Sequence, residues 1–225
     1  MILAAVLVAA AVAAAPPDGT YSYSLEQSSA SIGSATVTVK HADAGIVIHE
    51  TQDLKLPSST RSYAIDETLD PATLSPRSYT GTYTQDGTPA VVRMALAASG
   101  VRATIDGVSG VSSVTLPPGT RSAYIVELSL LSGYLFLPAQ VNASHASKFA
   151  AVVPSELTAV VNRVDNNMNP IRPANIPGQD VSLSIGGAVD YDIWYDPLSF
   201  TVHAVSVPTQ NAVFRLTKYS AEVKS

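Results

Sequence analysis

The residues able to do chemistry are few and scattered. The chain carries four histidines, His41, His49, His145 and His203, and no cysteine. No two histidines stand two to five residues apart, so there is no local zinc motif. His41 reads as a turn residue, and His49 and His203 as solvent-facing strand positions. Without cysteine there are no disulfides, no thiolate nucleophile, no Cys-based zinc or iron–sulfur centre and no lipid-modified Cys anchor. No Gly-x-Ser-x-Gly occurs, and Gly107-Val108-Ser109-Gly110 reads as a turn. No Ser stands three residues before a Lys, and neither a phosphate loop nor a dinucleotide fingerprint is present.

The carboxylates come closer to a site. Asp190, Asp192 and Trp194 share one strand face, and Asp196 follows in a turn. Paired acids serve glycoside hydrolysis or hold calcium. The calcium-loop spacing is not met, and acids on the wet face of a hairpin are ordinary. Trp194, the only tryptophan, can cover a helix, line a pocket or stack on sugar; packing is the simplest reading. A second group, Asp66, Glu67 and Asp70, runs into the turn signal Asp70-Pro71. The expectation is a protein that is not an enzyme, with no catalytic residue, no metal site and no cofactor. A hydrolase using Asp190, Asp192 or His203 ranks last among the readings.

The elements that must position these residues are mainly strands. Period-two alternation runs through Tyr21, Tyr23 and Leu25, then Ala35, Val37 and Val39, then Ile46, Ile48 and Glu50. Strands follow over 61–69, 77–85, 91–96, 101–105 and 111–116, with a hairpin turn at Asp86-Gly87. The pattern breaks at 123–137, which is apolar without alternating. This stretch predicts a buried helix near 124–137 that ends by Pro138; a pair of buried strands meeting at Gly133 is the alternative. Residues 145–152 read as a second short helix. Strands resume at 157–164, a Pro- and Asn-rich loop spans 165–179, and 181–185, 189–195, 200–207 and 212–219 close the chain.

Composition sets the class. Charged residues make up 14% of 225 and the net charge is −5, with no basic cluster of the kind that nucleic acid or an anionic membrane surface requires. Ten tyrosines against four phenylalanines suit surfaces that are half apolar and half wet. Residues 1–15 carry no charge, too short a stretch for a bilayer span, and read as a signal peptide cleaved after Ala11-Val12-Ala13. No membrane span is expected once it is removed. The remainder, 16–225, reads as a single β domain that is periplasmic or secreted. The oligomeric state is left open.

Three stretches together resemble bacterial periplasmic proteins of the lipoprotein-carrier-like half-barrel superfamily. They are Tyr21-Ser22-Tyr23-Ser24-Leu25 with Ile32-Gly33-Ser34-Ala35-Thr36-Val37, the apolar insertion 124–137, and Ile193-Trp194-Tyr195-Asp196-Pro197 with 200–205. The resemblance implies a single curved antiparallel sheet, a half-barrel, wrapped over one or two helices, with an apolar cavity between. It also implies an apolar ligand, a lipid or acyl chain. Tyr23, Leu25, Val37 and Val39 on the sheet and Leu128, Leu131 and Leu135 on the helix are the expected lining. A β-sandwich that binds glycan or protein is the alternative.

Overall fold

The computed structural model describes residues 14–97, 100–106, 111–118, 120, 122–127, 130–187 and 190–222. Most of the expected leader (1–13), the turn at 107–110, Leu128 and Val189 lie outside them. Among the described residues the chain forms fifteen strands and one α-helix in a single open sheet. The first eight strands make an antiparallel meander: β1 (Gly19–Gln27), β2 (Ala30–Ala42), β3 (Gly45–Leu56), β4 (Ser59–Leu69), β5 (Pro76–Gln85), β6 (Thr88–Ala97), β7 (Gly100–Ile105) and β8 (Ser112–Val114). Then come β9 (Ala123–Ile125), helix α1 (Ser132–Ser144) and β10 (Lys148–Val153). A second meander follows: β11 (Thr158–Val164), β12 (Val181–Gly186), β13 (Tyr191–Tyr195), β14 (Val202–Val207) and β15 (Ala212–Ala221).

The two meanders join through β1 and β15, which pair antiparallel from Gly19–Ala221 to Gln27–Ala212. Across the sheet the order is β8 to β1, then β15 down to β9. All neighbours are antiparallel except β9 and β10, whose parallel pairing is permitted by the helical crossover between them. The mainly β, single curved-sheet expectation is met. The two sheets of a sandwich are not present among the described residues.

Alternation decides which face is inside. On β3, Ile46, Ile48, Glu50, Gln52 and Leu54 are buried while Val47, His49, Thr51 and Asp53 are exposed. The same parity brings Tyr21, Tyr23 and Leu25, Val37 and Val39, and Tyr63 and Ile65 into one core with the apolar side of α1. One edge of the sheet, the start of β9, meets the β4–β5 loop without strand pairing. Ser75 Oγ lies 3.2 Å from Ser122 Oγ, and the Gln140 side-chain amide of α1 donates to Leu74 O and Ala123 O. The helix thus ties the β4–β5 loop to the start of β9.

The apolar segment divides differently from either expectation. Ala123–Ile125 is a strand, and α1 begins only at Ser132. Pro138 lies inside the helix instead of ending it. A helix-interior proline lacks a donor and costs about 3 kcal/mol; here every residue from Ser132 to Gln140 is buried, and that packing offsets the cost. Gly133 is in the first helical turn, where a Cβ would sit 1.7 Å from Ile125 O, so only glycine lets α1 lie against β9. The helix ends at His145, in the left-handed region with φ 50°, its N–H donating to Val141 O at 2.9 Å. The second helix expected at 145–152 is instead β10: Phe149 to Val152 is apolar on both faces because both are covered.

Candidate functional site

Strand parity carries two acids into the interior. Glu50 on β3 is opposite Ile65, and Glu67 on β4 is opposite Ile48, so the two carboxylates stand diagonally across adjoining strands on the inner face. Both are buried, which sets Glu67 apart from the neighbours it was grouped with, Asp66 and Asp70. Asp66 pairs with His49 at the surface, and Asp70 accepts from Ala72 and Thr73 N–H and pairs with Arg77.

Glu50 meets the start of the helix. Leu131 N–H donates to its Oε1 at 3.0 Å and to Oε2 at 3.1 Å, and Ser132 N–H donates to Oε2 at 2.8 Å. These donors have no partner within the helix, and the helix dipole favours negative charge there. Burial nevertheless pushes the Glu50 carboxyl up to about 7, the two backbone N–H groups holding it back. Glu67 is pushed up to about 8 by burial, reinforced by the charge of Glu50 and opposed by the Ser132 hydroxyl. Its Oε2 is buried without a hydrogen-bond partner.

A line of tyrosines leads outward from this pair. Tyr79 on β5 stands directly opposite Glu67, and its hydroxyl meets that of Tyr83. Gly81 lies between them on the same face, where a Cβ would sit 2.6 Å from Tyr79 Oη and 2.8 Å from Tyr83 Cε2. Tyr83 packs edge-on against Tyr63, with centroids 5.6 Å apart. Both rings face an open cleft of about 370 Å³ shared with Arg61, Glu127 and Ser155. Desolvation raises Tyr79 and Tyr83 well above the usual phenol value, so both hydroxyls stay protonated at neutral pH. Alternation contained the signal for this site, since Glu50 follows Ile46 and Ile48 in parity and Glu67 follows Ile65.

A second cleft, of about 490 Å³, lies on the convex side. The loop 165–180 folds back over the outer face of β13–β15. Arg172 stacks over the Trp194 ring at 5.0 Å and donates to Pro177 O and Asp180 O. Arg215 donates to Ala174 O at 2.7 Å and lies 3.5 Å from Glu26. Met168, Pro170, Ile171 and Pro173 form one wall, and Pro208 and Val213 another, with Asp192 and Ser206 below. Asp192 is only 2% exposed and Trp194 6%, which corrects the wet-face reading: the loop covers what would otherwise be the solvent side of the hairpin. Asp190 accepts from Gly187 N–H and Asp196 from Leu198 N–H, both in turns.

Of the expected ligand-lining residues, the six that are described fall together. Tyr23, Leu25, Val37, Val39, Leu131 and Leu135 are 0–1% exposed in one contiguous core, and Tyr23 also donates to Val202 O at 2.8 Å. His41, His49 and His203 each meet one acid, Asp18, Asp66 and Asp180. His203 is thus tied to a buried carboxylate and not simply solvent-facing. Among the described residues no three His, Asp or Glu gather as a metal site, and no helix is long and apolar enough to cross a membrane. Compared with family models, curated proteins and solved structures, the chain matches none.

Proposed function

We propose that this chain is an exported, non-enzymatic binding or carrier protein for an apolar molecule of the lipid or acyl class. The observation that supports this most directly is the cleft under the 165–180 loop. It has the size of a small-molecule site, its walls are apolar, and a few polar groups lie at its floor. The resemblance to half-barrel carriers and the uncharged first fifteen residues are consistent with the same reading. A ligand between helix and sheet, against Leu131, Leu135, Tyr23 and Leu25, requires α1 to lift from the core. The convex cleft takes a ligand without that rearrangement.

Titration with a fluorescent fatty acid of ~14–18 carbons tests the reading, since each buried methylene is worth ~0.8 kcal/mol against the ordering cost. Saturable micromolar binding is expected, lost in Val213→Trp, which fills the cleft from β15. Absence of saturable binding by the parent, both of this probe and of a neutral 1-alkanol of the same length, overturns the proposal. Undiminished binding by a folded Val213→Trp moves the ligand away from this cleft.

A further inference from the structure

The floor of the convex cleft has an unbalanced charge. In the sheet register Asp192, Ser206 and Val213 form one row across β13, β14 and β15, and Trp194, Ala204 and Arg215 the next. Asp192 is 2% exposed, yet it borders the cleft. Ser184 Oγ donates to its Oδ1 at 2.5 Å, and among the described residues this is the only hydrogen bond the carboxylate accepts. A nearly buried carboxylate normally gathers several donors or a cation. The two guanidinium groups in this region are committed elsewhere, Arg172 to Trp194 and the carbonyls of Pro177 and Asp180, and Arg215 to Ala174 O and Glu26. Both hold the loop down, and neither pairs with Asp192.

We propose that the cleft selects an amphiphile with a cationic, hydrogen-bond-donating head, an alkyl amine, with the ammonium on Asp192 and the chain against Met168, Pro170, Ile171 and Val213. The assignment rests on the apolar-ligand reading above and narrows it to one head-group class. An ammonium supplies the donors that Asp192 lacks, and the apolar walls exclude water from the pair. An acyl carboxylate of equal length meets a like charge at the floor, where the one cation on the described lining, Arg215, is held by Glu26 and Ala174 O, and an alcohol offers a single neutral donor.

Calorimetric titration of the full chain with decylamine, decanol and decanoate at 150 mM salt, below their aggregation limits, tests this. The parent is expected to bind decylamine at least tenfold more tightly than the other two. Asp192→Asn should bring amine and alcohol within about threefold of each other. Val213→Lys places a resident ammonium two strands from Asp192 in the same row; it should weaken the amine at least tenfold while its melting curve verifies the fold, and it serves where Asp192→Asn fails to fold. Equal binding of all three head groups by the parent, or an amine preference that survives in either folded variant, overturns the head-group assignment and leaves the apolar-ligand reading standing. No binding of any of the three overturns both.

Discussion

Glu67 stands diagonally across from Glu50 on the adjoining strand, and both carboxylates face the first turn of α1. Only one of them takes hydrogen bonds from the helix backbone. Glu50 takes the N–H groups of Leu131 and Ser132, whereas Glu67 keeps a buried oxygen without a partner. This division makes Glu67 the acid that holds its proton longer.

Stability should therefore fall as pH rises through the neutral range. Burial lifts Glu50 to about 7 and Glu67 to about 8 in the folded chain, while the unfolded chain ionises both near 4.5. Between these limits the folded state binds more protons than the unfolded state. The stabilising contribution is complete below about 4.5, declines as pH rises through 7 and 8, and then levels off. The slope is up to ~1 kcal/mol per pH unit for each proton. Urea unfolding from pH 5 to 9 should show this decline, and Glu67→Gln should flatten it. Parallel profiles for the parent and the variant would contradict the account.

Gly133→Ala should abolish cooperative folding. Its Cβ would lie 1.7 Å from Ile125 O, and backbone cannot yield there without moving α1 off β9, a cost above ~4 kcal/mol. Gly178→Ala, with no atom within 4 Å of the added Cβ, is the control, expected within ~0.5 kcal/mol of the parent. Thermal melts of both distinguish a specific close approach from a general intolerance of added methyl groups.

Tyr124→Phe should cost ~2 kcal/mol. Asn162 Nδ2 donates to the Tyr124 hydroxyl at 2.6 Å, and that hydroxyl also meets Tyr191. Removing it leaves two buried polar groups short of a partner, next to an Asn162 Oδ1 that already has none. Tyr195→Phe, at a half-buried ring stacked on Phe200, is expected to be near neutral in the same chemical denaturation series.

Arg172→Ala should release the 165–180 loop with little effect on the sheet. It removes the cover from Trp194 and two donors to loop carbonyls. Trp194 is the only tryptophan, so its fluorescence reports the loop alone. Acrylamide quenching should rise at least twofold while the melting temperature moves by no more than a few degrees. An unchanged quenching constant would show that other contacts hold the loop.

Much of this architecture is legible in the sequence because strand burial has a period of two. Ile46, Ile48 and Leu54, or Tyr21, Tyr23 and Leu25, declare an inner face unaided. The same parity declared Glu50 and Glu67 inside, and their charge argued the other way; the helix N-terminus that makes Glu50 tolerable lies over 80 residues away in sequence. Asp192 and Trp194 have no local signature at all. Their burial comes from a loop that returns over the convex face, and in sequence that loop is only polar and proline-rich. Pro138 misled for a related reason, since local preference marks a stop and the surrounding core overrides it.

The pairing of β1 with β15 at the middle of the strand order also has a kinetic consequence. The sheet is a single up-and-down path in which β1 and β15, the first and last described strands, meet at the centre while the chain connects the two edges, β8 and β9. The native chain closes a contact spanning about 200 residues, Gly19 with Ala221, before the two meanders become one sheet, and such closures slow folding. A circular permutant that links Ala221 to Gly19 and opens between Val114 and Ala123 would trace the sheet from β9 to β8 in one pass. Every strand would then pair with its neighbour in sequence, and the permutant should reach the same structure faster than the parent.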